Sequence, residues 1–150
     1  MKNLNARLLL ENTAGQGSNL GYRFEHLAEI RDHVERKDRI GICFDTCHAF
    51  AAGYAMETEG ACRRVFSEID KTVGIERLKV FHFNDSKKPL GSRVDRHEHI
   101  GQGLIGLTMF RYLMRSRRFA KHPMALETPK SEDYHEDREN IQVLLGLLKD

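Results

Sequence analysis

The chain has 150 residues, one domain's worth and enough to bury a core. Hydrophobic residues make up 40% and charged residues 31%, the balance of an ordinary globular protein, and a net charge of +2 is too small to argue for nucleic acid by itself. No apolar run approaches a membrane span, and residues 1–10 lack a signal peptide's apolar core, so we expect a cytoplasmic protein with no membrane contact.

In chain order, residues 7–11 form a short apolar run that predicts a strand, and the polar, glycine-containing residues 12–19 predict a loop. Phe24, Leu27, Ile30 and Val34 recur at helical spacing, with a break at Asp38. Residues 40–44 read as a second, buried strand ending at Asp45. Cys62, Val65, Phe66, Ile69 and Val73 give a second helix its apolar face, stopped by Gly74. The third strand holds Leu78, Val80, Phe81 and Phe83, interrupted by His82 and closed by Asn84 and Asp85. A polar loop follows, with Asp95 and His97 two residues apart and glycines at 101 and 103. Phe110, Leu113 and Met114 mark a helix whose far side is basic, at Arg111, Arg115, Arg117 and Arg118, which reads as a solvated face. Residues 124–126 predict a fourth strand, and Ile141, Leu144, Leu145 and Leu148 the buried face of the last helix.

Alternation of continuous apolar strands with helices implies an α/β fold, a parallel sheet covered by helices. Four units of roughly 35 residues match the repeat of a (β/α)8 barrel, which takes about 250 residues to close. The expected architecture is therefore a single domain over residues 1–150 that supplies half of a TIM barrel.

Each strand ends on a side chain that can bind metal: Glu11, Asp45, His82 and Glu127. His48, Asp95 and His97 follow in the connecting loops. Ligands bind at the carboxyl ends of strands in parallel α/β folds, and three carboxylates gathered there would repel one another without a cation. Each residue taken singly has a plainer role. An Asp or Glu at a strand end is most often a helix cap or a loop residue, and His82 could be a core histidine bonded to a carbonyl. Recurrence at one level on four strands shifts the balance toward metal. His26, His33 and His135 read as surface side chains. His122 has no carboxylate partner at a telling spacing, and His99 is a lesser candidate beside the Asp95/His97 loop. Cys43, Cys47 and Cys62 form no CxxC pair and read as free thiols in a reducing compartment, with Cys47 a small buried thiol.

Four segments, LENTAGQG at 10–17, FDTCHAFAAGY at 44–54, HFNDSK at 82–87 and GSRVDRH at 91–97, together resemble the endonuclease IV family of metal-dependent apurinic/apyrimidinic endonucleases. The match runs from about residue 7 to the end in the family's order, and chance does not assemble four such motifs. The resemblance implies the C-terminal half of a TIM barrel bearing a zinc cluster that cuts DNA on the 5′ side of an abasic site. Carried over by position, Glu11 resembles the carboxylate bridging two ions. Asp45, His82 and Glu127 resemble the other ligands of one ion, and His48, Asp95 and His97 those of another. Glu11 and Glu127 are the residues expected at the reacting centre.

Mixed imidazole and carboxylate ligands suit zinc, or manganese at oxygen-rich positions, and paired ions suit phosphodiester hydrolysis. Two histidines of the family's first ion come from the other half of the barrel. The expected partners are abasic DNA, contacted through Lys87, Lys88, Arg93, Arg96 and Lys130, and either that N-terminal half or a second copy. Two alternatives remain at this stage. One is a sugar isomerase or epimerase of the xylose-isomerase-like class, which needs only the Glu11, Asp45, His82, Glu127 quartet. The other is an inactive metal-binding remnant.

Overall fold

The computed structural model describes residues 6–149. Four parallel strands form one sheet in the order β1 (Leu8–Glu11), β2 (Ile40–Asp45), β3 (Leu78–His82) and β6 (Met124–Ala125). A two-stranded antiparallel ladder, β4 (Asp85–Ser86) with β5 (His97–Glu98), stands above the carboxyl end of β3. The helices are α1 (Phe24–Asp32), α2 (Thr46–Ala52), α3 (Glu59–Thr72), α4 (Leu107–Met114) and α5 (His135–Gly146).

Every residue of β2 is buried, as a central strand of a covered parallel sheet requires. Alternate residues of a strand point to opposite faces. Phe44 and Phe81 enter an aromatic cluster with Phe24, Phe66 and Phe119. Phe44 lies 5.4 Å from Phe66 and 6.1 Å from Phe81, and Phe81 lies 5.1 Å from Phe119, centroid to centroid. Burying a Phe contributes about 1.5–3 kcal/mol, and such ring pairs about 0.5–1.5 more. α3 lays Cys62, Val65, Phe66 and Ile69 on this core, and its first turn is capped by Thr58, whose hydroxyl accepts the Ala61 N–H at 3.2 Å. Half-buried His122 packs against this core, its ring 5.6 Å from that of Phe81 and its Nε2 3.1 Å from the Leu78 carbonyl oxygen.

The structure corrects five expectations. His48 is not in a loop: α2 begins directly after β2, capped by Asp45 and ended by Gly53 at φ 109°. α1 ends at Asp32, short of Val34, and α4 at Met114, so Arg115, Arg117 and Arg118 lie beyond it. β6 is only two residues long, and Leu126 falls outside it. The buried stripe of the α5 region is Asn140, Leu144 and Leu147, while Ile141, Leu145 and Leu148 are 45%, 44% and 50% exposed. Periodicity was right and phase was wrong. The sheet ends at β6, so this exposed flank meets no further strand among the described residues. No helix among the described residues is long and apolar enough to cross a membrane.

Candidate metal centre

The register places Asp45 opposite His82, and Glu11 opposite Cys43 two residues back along β2. Glu11, Asp45 and His82 therefore share the carboxyl end of the sheet, and Glu127, two residues past β6, joins them. His82 Nδ1 stands 3.2 Å from Glu11 Oε1, 3.1 Å from Glu127 Oε2 and 3.9 Å from Asp45 Oδ2. One ligand atom from each of the four lies within 4.8 Å of the others. Metal–ligand bonds of about 2.0–2.2 Å let one ion reach such a set.

A second group adjoins the first. Asp95 offers Oδ2 to His48 Nε2 at 3.1 Å and Oδ1 to His97 Nε2 at 3.1 Å. The two imidazole rings lie 5.3 Å apart. Their other nitrogens face backbone carbonyls: His48 Nδ1 is 3.0 Å from Asn12 O, and His97 Nδ1 is 3.0 Å from Glu127 O. A carbonyl that accepts the Nδ1 proton leaves the Nε2 lone pair free for a metal. His97 Nε2 is buried and lacks hydrogen-bond geometry to any partner, an orphaned nitrogen of the kind a ligand to metal leaves.

Fixed amides hold these groups. Asn12 accepts the Asp45 N–H at 2.8 Å and donates to the Asp45 carbonyl at 3.0 Å. Asn84 donates to Asp45 Oδ2 at 2.6 Å and accepts the Glu127 N–H at 2.9 Å, which ties the loop after β6 to the end of β2. Asn140 of α5 accepts the Ile100 N–H at 2.7 Å and donates to Thr128 at 3.2 Å, joining the loop of His97 to the loop of Glu127. His99 lies 3.1 Å from the same amide through Nδ1 and takes no place in the cluster.

The electrostatics call for a cation. Burial would raise the Glu11 carboxyl, but hydrogen bonds from His48 and His82 outweigh it and hold it down at about 2. Burial opposes charge on His48, yet Glu11, Asp45 and Asp95 push it up to about 10. The Cys43 sulfur and the Glu11 carboxylate push His82 up to about 11. Burial raises Asp45, against the pull of His48 and His97. Imidazolium charge thus sits where positive charge is needed, and the donor set fits zinc or another divalent transition metal. Cys47 does not fit as a thiolate: burial holds it up at about 12, and its Sγ donates to the Arg96 carbonyl at 3.7 Å.

The basic candidates lie around this end of the sheet. Lys87, Lys88, Arg93, Arg96 and Lys130 are all exposed. Arg93 stacks on Tyr22, its guanidinium carbon 4.5 Å from the ring centroid, and Arg96 donates to the Asp95 carbonyl at 2.6 Å. Lys87 pairs with Glu98 at 3.8 Å and Lys130 with Asp137 at 3.0 Å. His26, His33 and His135 bond locally and stay outside the cluster.

Residues 2–150 match the family described as a xylose isomerase-like TIM barrel. The chain belongs to this family. Within it, the similar proteins carry the name that the motifs suggested. The chain is 56% identical over 142 residues to a probable endonuclease 4 of Chloroflexus aggregans, covering 95% of this chain and 50% of the relative. It is 54% identical over 145 residues to one of Chloroflexus aurantiacus, covering 97% and 51%. It superposes on the crystal structure of endonuclease IV from Thermus thermophilus with a TM-score of 0.81 at 41% identity, over 95% of this chain and 49% of that one. The chain spans about half the length of the curated relatives it matches.

All seven metal-competent residues expected from sequence come together, while the holding role of the amides was not expected. Asn12 and Asn84 each lie within two residues of a strand-end candidate, which was the available signal. Asn140 carried no signal, because a polar residue in an amphipathic helix reads as exposed.

Proposed function

We propose that this chain is part of a DNA-repair endonuclease that hydrolyses the phosphodiester 5′ to an abasic site with zinc. The observation that carries the reading is the convergence of Glu11, Asp45, His82 and Glu127 beside His48, Asp95 and His97. The names of the similar proteins support the substrate. In this reading the first four hold one ion and the other three a second, while a third ion keeps only the shared Glu11. Zinc in such a site supplies Lewis acidity toward phosphate and lowers the pKa of water.

The chain's own residues do the rest. Glu11 and Glu127 flank His82 with carboxylate oxygens and are placed to orient water at the reacting centre. Asp45 and Asn84 fix the floor of the site. Arg93, Arg96 and Lys88 present charge to phosphates beside it, and such contacts position DNA without reading its sequence. The sugar-isomerase alternative leaves the Asp95 bridge between two histidines without a use, and the similar proteins named above do not favour it.

The test is cleavage of an abasic duplex by three samples. They are the chain alone, the chain with the other half of a full-length relative added in trans, and that pair carrying Glu127→Gln. We expect slow nicking by the lone chain, several powers of ten below a full-length relative, partial recovery in the pair, and none with Glu127→Gln. Full activity of the lone chain would contradict the assignment of the third ion, and a pair that retains no zinc and never cleaves would overturn the function.

A further inference from the structure

Asp85 takes no part in the cluster, yet it is a carboxylate with 0% exposure at the base of the loop that carries Asp95 and His97. Its Oδ1 accepts the Ser86 N–H at 2.8 Å and the Ile105 N–H at 2.9 Å, and its Oδ2 accepts the Gly101 N–H at 3.0 Å. The Gly103 backbone bonds to it as well. Its acceptors thus meet backbone donors from both ends of the excursion between β4 and α4. The Leu104 N–H adds a bond to the Ser86 carbonyl at 2.8 Å. Gly103 is where the two ends pass closest, since a Cβ there would stand 2.5 Å from Asp85 Oδ1 and 2.6 Å from Ser86 O.

A loop of this length without internal helix would sample many conformations, and ordering it only when an ion binds would cost affinity. Pinning its base changes that. The β4–β5 ladder starts from the pinned residue, pairing Asp85 with Glu98 and Ser86 with His97. The Lys87 N–H then bonds to the Arg96 carbonyl at 2.9 Å. The clamp therefore sets the position of His97, and through it that of Asp95, before any ligand arrives.

We propose that Asp85 is a positioning residue that preforms the His48/Asp95/His97 site by clamping both ends of its loop, an inference that rests on the metal reading above. Asn cannot replace it. An amide in the same place turns one acceptor into an N–H donor facing backbone N–H groups, so the clamp fails at constant shape.

The test measures zinc bound per chain by elemental analysis, with zinc titrations, on wild type, Asp85→Asn, Gly103→Ala and the reference His97→Ala. A core variant, Phe110→Leu, serves as a control for general loss of stability. Hydrogen exchange of residues 86–106 is followed in the metal-free proteins. We expect Asp85→Asn and Gly103→Ala to bind one of two ions about 10–100-fold more weakly, as His97→Ala does more severely, while the other ion stays. Both should lose amide protection from Ser86 to Ile105, and Phe110→Leu should keep both ions. Wild-type ion binding in Asp85→Asn, or loss of both ions in step with general unfolding in both loop variants, overturns the proposal. If wild type itself binds no zinc, the metal reading falls, and exchange still decides the clamp. Unchanged protection in Asp85→Asn then overturns the clamp as well.

Discussion

Asp45 Oδ1 accepts the His48 backbone N–H at 2.7 Å, so the cap of α2 and a floor of the site are the same carboxylate. Its Oδ2 remains for Asn84 and the cluster. Cap and ligand are thus separable by mutation. Asp45→Asn preserves a good cap and removes the charge, whereas Asp45→Ala removes both. After chelation we expect Asp45→Asn to keep the cap yet melt below wild type, because its amide N–H2 faces the Asn84 amide that Oδ2 accepted from, and this offsets the relief of a buried charge. Asp45→Ala should lose about 1 kcal/mol from the missing cap. Both should lose the ion held with His82. Thermal melts with and without zinc check this.

Asn84→Ala leaves the Glu127 N–H and the Asp45 carboxylate without their partner. A buried group stranded in this way costs about 1–3 kcal/mol. We also expect a fall of about 10–100-fold in zinc affinity, since Glu127 is no longer fixed relative to Asp45. Denaturant melts and zinc titration read the two effects separately.

In the metal-free chain, the Glu11–His48–His82 cluster makes stability depend on pH in a defined way. Glu11 is lowered from 4.5 to about 2, so its contribution is full above 4.5 and is lost as pH falls toward 2. His48 and His82 are raised from 6.5 to about 10 and about 11, so theirs is full below 6.5 and is lost as pH rises through those values. The difference in melting temperature between wild type and Glu11→Gln should be widest between pH 4.5 and 6.5 and shrink on both sides. A difference that grows toward pH 10 would contradict it.

Much of this was legible in the sequence, for physical reasons. β2 and β3 are buried on a parallel sheet, so they read as continuous apolar runs, and an ionisable residue ending each run stands out. α3 declared itself by the period of its apolar face. What failed was phase and role. The stripe of α5 was misplaced by one step, because Leu144, Leu145, Leu147 and Leu148 satisfy two helical faces equally well. Asp45 was weighed as cap or ligand, and the geometry allows both. Asn84 and Asp85 stood out within a motif, but polarity in a sequence does not reveal burial.

Weak DNA binding should fall as salt rises. Replacing Arg93 and Arg96 by Gln should reduce the slope of log K against log salt by about 1 for each phosphate no longer neutralised. Fluorescence anisotropy across a salt series measures it. No binding at low salt, or binding indifferent to salt, would rule out the basic rim as the DNA-facing surface.

The 150-residue chain produced alone should associate or precipitate. Leu8 on β1 is 63% exposed, β1 and β6 are the edge strands among the described residues, and Ile141, Leu145 and Leu148 add an apolar flank. Sedimentation that finds a stable monomer with a cooperative melt would contradict this.

The order of strands in the main sheet, β1, β2, β3 and β6, is also their order along the chain. Growth on the ribosome can therefore be vectorial, with each strand docking against a neighbour already made and no strand waiting to be inserted between two others. The vulnerable species at each stage is the nascent chain whose newest strand still has a bare edge. Among the edges that a later described strand covers, that of β3 waits longest, because β6 follows only after the long loop and α4. A chaperone that shields extended apolar segments would be needed most in that interval.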